Sequence, residues 1–204
     1  MNVRMAFLAR AAAAAIAAAV AFFPGVFATA QQVDMNVVDQ PGYVPTPEEQ
    51  QLNGAYERQE VFFRATEPPG TVLIDTNNRF LYLVQPNNRA LRYGIGVGRD
   101  GFQWQGVEKI SRKQEWPDWR PPPEMIERQP YLPRFMAGGP GNPLGPRAMY
   151  LGKTIYRIHG TNQPQTIGHA VSSGCFRLVD DDVIDLYDRV PVGTKVIIKQ
   201  AVQL

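Results

Sequence analysis

A mainly β domain of the sandwich or barrel-like kind is what this chain of 204 residues predicts, with one short helix near its end and a long proline- and glycine-rich loop. Three observations carry that expectation. Short β-branched and aromatic runs separated by turn residues recur from Thr71 onward. A single stretch of helical spacing spans residues 183–190. Nine of the eighteen prolines gather in residues 111–146.

The chain opens on export chemistry. Arg4 and Arg10 make a positive start, residues 11–23 are almost wholly apolar, and Ala28-Thr29-Ala30 offers small residues to a peptidase. The apolar run is short of the roughly 20 residues a spanning helix needs, and Pro24-Gly25 breaks it, so residues 1–30 are expected to be a cleaved signal peptide with no membrane span left afterwards. No cysteine lies near the cut to accept a lipid, and there is no twin-arginine pair. Removing this segment takes two arginines and no acids from 21 basic and 19 acidic residues, leaving 19 against 19. A neutral chain gives no electrostatic case for nucleic acid.

Residues 31–60 are rich in glutamine and proline with scattered apolar positions, so residues 31–66 read as a flexible leader and residues 67–204 as the folded domain. Within that domain, residues 71–76, the pair Asn77-Asn78 and residues 79–84 predict a hairpin with a two-residue turn. Pro86-Asn87-Asn88 extends it into a meander through residues 90–98. Gly94, Gly96 and Gly98 are followed by no helical pattern, which argues against a phosphate loop and for bulges or close backbone approach. The loop at 111–146 holds Trp116, Trp119 and Tyr131, aromatics that suit either a lid over a substrate or anchors on the core. Residues 147–151 and 154–158 resume strand character, and alternation sets Ile155, Arg157 and His159 on one face and Tyr156 and Ile158 on the other. Asp180 is the expected N-cap of a helix carrying Val183, Ile184, Tyr187 and Val190, stopped by Pro191-Val192-Gly193. Residues 194–198 form a last strand.

Cys175 is the chain's only cysteine, sixteen positions after His159, in Ser172-Ser173-Gly174-Cys175-Phe176-Arg177-Leu178. A lone thiol in an exported protein makes no internal disulfide, so packing or reactivity must account for it. An imidazole in hydrogen-bond reach could hold the thiol as a thiolate–imidazolium pair and later protonate a leaving amine. Gly174 allows a tight turn whose N–H groups could serve an oxyanion, with Ser172 and Ser173 able to bond that turn. On these residues alone, a reactive pair and a buried thiol beside a structural histidine stand about even. A metal site from His159, His169 and Cys175 has only three ligands at no recognised zinc spacing, so no metal is expected.

The stretch Ile158-His159-Gly160-Thr161-Asn162, with Ile167-Gly168, Ser172, Gly174-Cys175, Arg177-Leu178, Asp182-Val183 and Val190-Pro191-Val192-Gly193-Thr194, resembles the catalytic signature of L,D-transpeptidases. Residues 138–152 are similar as well, so the resemblance spans about residues 68–200. It implies that family's β fold and an acyl transfer on peptidoglycan. Cys175 attacks a tetrapeptide stem at the L-centre of its third, diamino residue and expels D-alanine, and the thioester passes to an amine. It assigns Cys175 as nucleophile, His159 as base, Ser173 and Gly174 to the oxyanion turn, and Ser172, Gly160, Thr161 and Arg177 to substrate, Arg177 serving alternatively as a structural donor. No cofactor is implied. Stem peptides are the donor and acceptor, with an outer-membrane protein or lipoprotein among further acceptors, and the place is the periplasm at the cell wall. A carboxypeptidase and an inactive wall-binding module are the alternatives. One departure stands out: the family pattern commonly reads Ser-His-Gly-Cys, and here Ser173 replaces that histidine, leaving His169 as the only other imidazole.

Overall fold

The computed structural model describes residues 40–200, so the expected signal peptide and residues 31–39 of the leader lie outside the described residues. The strands, in chain order, are β1 (Gln59–Phe62), β2 (Val72–Asp75), β3 (Phe80–Gln85), β4 (Arg89–Gly94), β5 (Val97–Gly98), β6 (Gly106–Glu115), β7 (Arg147–Leu151), β8 (Arg157–His159), β9 (Ala170–Ser172), β10 (Phe176–Arg177) and β11 (Lys195–Lys199). Among the described residues, two α-helices, α1 (Pro123–Arg128) and α2 (Asp180–Arg189), and a 3-10 turn at Pro164–Thr166 complete the set. The fold is mainly β, a curled sheet of nine strands in the order β1-β4-β3-β2-β11-β6-β7-β8-β10, with β5 and β9 as a separate short pair.

The predicted meander is present with one change. Four residues, not two, link β2 to β3, because Asp75 pairs with Phe80 and the Asp75 carboxylate accepts from the Asn78 backbone and side chain at 2.9 and 2.8 Å. That side-chain bond stabilises a wider loop than the asparagine pair alone suggests. Alternation then divides the strands between two cores. Val72, Ile74, Leu81, Val196 and Ile198 face one, and Leu73, Tyr82 and Ile197 face the other, where Phe63 stacks on Tyr82 at 4.6 Å. The C-terminal strand β11 lies parallel to β2 and antiparallel to β6, and so joins the meander to the half that carries the cysteine.

Helix α2 closes the larger core with Val183 and Leu186, and Val190 continues that face at its C-terminal cap; each such side chain contributes roughly 1.5–3 kcal/mol on burial. Its N-cap is Val179 rather than Asp180, and no side chain caps it. Asp180, Asp181 and Asp182 instead fill the first turn, where the helix dipole favours acids.

Two expectations shift at the flanks. The loop thought to begin at residue 111 begins after β6 ends at Glu115, and it contains α1, whose Pro123 sits where a missing N–H costs nothing. This lid has its own core of Trp119, Met125, Leu132 and Leu144. The leader, meanwhile, is attached over its described part. β1 is the edge strand beside β4, Gly42 donates to the Gly141 carbonyl at 2.9 Å, and the buried Asn162 side chain donates to the carbonyls of Gln40 and Tyr43 at 2.6 and 3.2 Å. Its composition did not announce this, because backbone groups and a buried amide more than a hundred positions away do the holding.

Candidate active site

The strands β8 and β10 run parallel, with Ile158 level with Phe176 and His159 level with Arg177. Ile158 and Phe176 face the larger core, so His159 and Arg177 face the opposite side. Extending the register by one residue brings Cys175 level with Arg157 on that side. All four line a cleft of about 330 Å³, roofed by Trp119, Arg120 and Met125 of the lid and by Leu144. The structure thus brings together the two residues separated by sixteen positions.

The cysteine turn is held from three directions. Ser172, 2% exposed, donates its hydroxyl to the Cys175 carbonyl at 2.6 Å and accepts from the Gly174 N–H at 3.1 Å. Trp104 donates its indole N–H to the Gly174 carbonyl at 3.0 Å and stacks on Tyr156 at 4.6 Å. Gly174 has φ of 104°, and a Cβ there would lie 2.4 Å from the Tyr156 ring, so only glycine fits. Its N–H is already donated to Ser172, so Gly174 shapes the turn rather than serving an oxyanion. Ser172 lines the cleft wall while its hydroxyl is occupied inside the turn.

His159 is 3% exposed, and its Nδ1 lies 2.6 Å from the Gly160 carbonyl. A carbonyl only accepts, so Nδ1 carries the proton and Nε2 keeps its lone pair. Burial, then the guanidiniums of Arg177 and Arg157, lower its pKa to about 3. The low pKa favours the neutral imidazole at rest, in which Nε2 can accept a proton. The one intramolecular bond that favours protonation, to Gly160, is the weakest of these influences.

The remaining predicted residues divide. Arg177 lines the cleft, is 3% exposed, and has its backbone locked to Gly96 by reciprocal bonds at 2.9 Å. Ser173 lines the cleft and accepts a bond from Arg128 of α1 at 3.3 Å. Gly160 and Thr161 are buried behind His159 and away from the cleft: Gly160 packs against Gly145, where a Cβ would meet its Cα at 2.7 Å, and the Thr161 hydroxyl accepts from the Gln163 N–H at 3.0 Å. The absent side chain of Gly160 and the hydroxyl of Thr161 fit the chain at the end of β8, and neither residue lines the cleft. His169 is exposed and outside the cleft, so it does not take the position that Ser173 leaves. Among the described residues, no group of three or more His, Cys, Asp or Glu is placed to hold a metal ion. Further lining residues include Arg157, which alternation already sets on the face of His159, and Arg120 and Met125, which no local signal within a proline-rich loop singles out.

Residues 69–198 match the family model described as the YkuD L,D-transpeptidase catalytic domain. The probable L,D-transpeptidase ErfK/SrfK of Escherichia coli K12 is 40% identical over 154 residues, covering 71% of this chain and 49% of that protein. The putative L,D-transpeptidase YqjB of Bacillus subtilis 168 is 32% identical over 133 residues, covering 62% of this chain and 69% of that one. In fold, the solved L,D-transpeptidase from Mycobacterium smegmatis is similar with a TM-score of 0.50 at 18% identity, over 63% of this chain and 58% of that chain. The chain spans about half the length of the E. coli relatives it matches. A family model that takes in the meander, the lid, both strands of the cleft and β11 leaves one conclusion: this chain belongs to the L,D-transpeptidase catalytic domain family.

Proposed function

We propose that this chain is a peptidoglycan L,D-transpeptidase that works through a thioester on Cys175, at the cell wall outside the inner membrane. The observation that carries the reading is the parallel register that sets Cys175 and His159 on one cleft face, with a neutral imidazole whose Nε2 is open to accept a proton. His159 takes the thiol proton as sulfur attacks the carbonyl at the L-centre of the diamino residue. The same proton then goes to the nitrogen of D-alanine, which leaves as the C–N bond breaks. An acceptor amine next attacks the thioester, loses its proton through His159, and releases the thiol. The positive charges of Arg177 and Arg157 that disfavour imidazolium at rest also offset the negative charge that builds on sulfur and on the tetrahedral oxygen.

Acceptors consistent with this chemistry are the side-chain amine of a second stem, giving a 3–3 cross-link, or a lysine of an outer-membrane protein or lipoprotein. Mass spectrometry of disaccharide-tetrapeptide incubated with the protein, beside Cys175→Ala and His159→Ala forms, tests the reading. A dimer that has lost one D-alanine, absent with both variants, is the expected result. Tripeptide monomer alone reassigns the protein as a carboxypeptidase, and unchanged substrate with a folded protein, even after lysine-bearing acceptors are supplied, points to a wall-binding module.

A further inference from the structure

Three guanidiniums, Arg120, Arg157 and Arg177, open on the cleft against one carboxylate, Glu124. Arg177 is nearly sealed, and Arg120 lies over the Phe135 ring, 4.5 Å from its centre. Arg157 is placed differently. It is half-buried, level with Cys175 in the continued β8–β10 register, and its Nε is screened from solvent with no hydrogen-bond partner. It lies 5.5 Å from the ring centre of Tyr150, its cross-strand neighbour on β7, and among the described residues no acidic side chain pairs with it. A guanidinium that gives up water without gaining an anion is costly, and a planar carboxylate is the group its donor geometry fits.

We propose that Arg157, with Arg120 contributing from the lid, is the receptor for a substrate carboxylate close to the bond that is cleaved, and that it selects stems in which this carboxylate is free. The inference rests on the transpeptidase reading and deepens it. Two carboxylates of a tetrapeptide stem lie within one residue of the attacked carbonyl: the D-centre carboxylate of the diamino residue, and the terminal carboxylate of D-alanine. Either meets the cation beside the sulfur, and amidating one or the other distinguishes them. Arg177 is too enclosed to take this part, and Glu124 has the wrong charge.

The test is binding of three tetrapeptides to the Cys175→Ala protein by calorimetry, with Arg157 intact or changed to Gln, followed by turnover of the same peptides by the active protein. One peptide carries both carboxylates, one is amidated on the diamino residue, and one on D-alanine. A charged hydrogen-bonded pair predicts that one amidation weakens binding about tenfold or more. It also predicts that Arg157→Gln weakens the free peptide by the same factor, leaves that amidated peptide unchanged, and thereby identifies the carboxylate. Arg157→Lys, which keeps charge without the planar fork, is expected to retain an intermediate preference and guards against a packing effect. Equal weakening of all three peptides, no change, or no binding to the Cys175→Ala protein overturns the proposal, as does a shifted pH profile of turnover with discrimination intact, which assigns Arg157 to the cysteine and histidine alone. Discrimination in binding without turnover of any peptide upholds the receptor and rejects the transpeptidase reading; turnover insensitive to amidation does the reverse.

Discussion

Ser172 joins Cys175 to its turn with a hydroxyl that both donates to the Cys175 carbonyl and accepts from the Gly174 N–H. Ser172→Ala leaves both groups inside the protein without that partner, so unfolding in urea should show a loss of about 1–3 kcal/mol, together with a fall in D-alanine release. Threonine at 172, which keeps the hydroxyl, should retain more activity than alanine. At Gly174 the cost is steeper, since φ of 104° and the Tyr156 ring both refuse a side chain. His159 fixes a different observable. With its pKa lowered to about 3 by burial and two guanidiniums, the free protein holds the neutral base through the mildly acidic range. The acid limb of kcat/KM, measured by D-alanine release between about pH 4.5 and 7.5, should therefore lack an inflection near the ordinary histidine value of about 6.5. An inflection there would mean that the imidazole is solvated and outside the guanidinium field.

The lid acts as one element because α1 and its small core tie Trp119 to Leu132 and Leu144, and its side-chain link to the cysteine turn is Arg128 on Ser173. Arg128 is exposed, and its guanidinium also lies 5.5 Å from the Phe102 ring, so the pair is a surface contact worth at most about 1 kcal/mol. Arg128→Ala is expected to leave the melting temperature nearly unchanged while a bulky maleimide alkylates Cys175 several-fold faster. Equal alkylation rates would show that the lid holds its place without this contact. The position matters because Ser173 stands where the family pattern commonly has histidine; here the neighbour that approaches it is a cation from the lid. Elements of local pattern were legible in the chain: the meander, β7, the alternation through His159, and the apolar face of α2. What the sequence withheld depends on partners far along the chain. The parallel pairing of β8 with β10 levels Arg157 with Cys175, but parallel strands joined through an intervening loop leave no local mark. The lid helix is masked by Pro121, Pro122 and Pro123, which signal a loop although the last of them starts a helix.

At the scale of the whole molecule, buried ionisable groups at the seam between the cleft and α2 make stability depend on pH in two opposing ways. His159 has a folded pKa of about 3, below its unfolded value, so the unfolded chain binds the proton first; its contribution is fully present above about pH 6.5 and is lost as pH falls toward 3. Asp180 is pushed up to about 6, chiefly by burial, against a bond from the Thr161 N–H that favours its charged form. Here the folded chain holds the proton longer, so stability is present below about pH 4 and is lost as pH rises through 6. Between these limits the two slopes partly cancel, and wild-type stability alone hides both. Asp180→Asn separates them, because the amide oxygen can still accept from Thr161 while no charge is buried. Urea unfolding at pH 7.5 should show the variant more stable than wild type by about 1–2 kcal/mol, with the advantage gone by about pH 4. A gain of the same size at both pH values would mean that the carboxylate is not ionised against burial at neutral pH, and that the amide instead finds a partner that the buried Asp180 Oδ1 lacks.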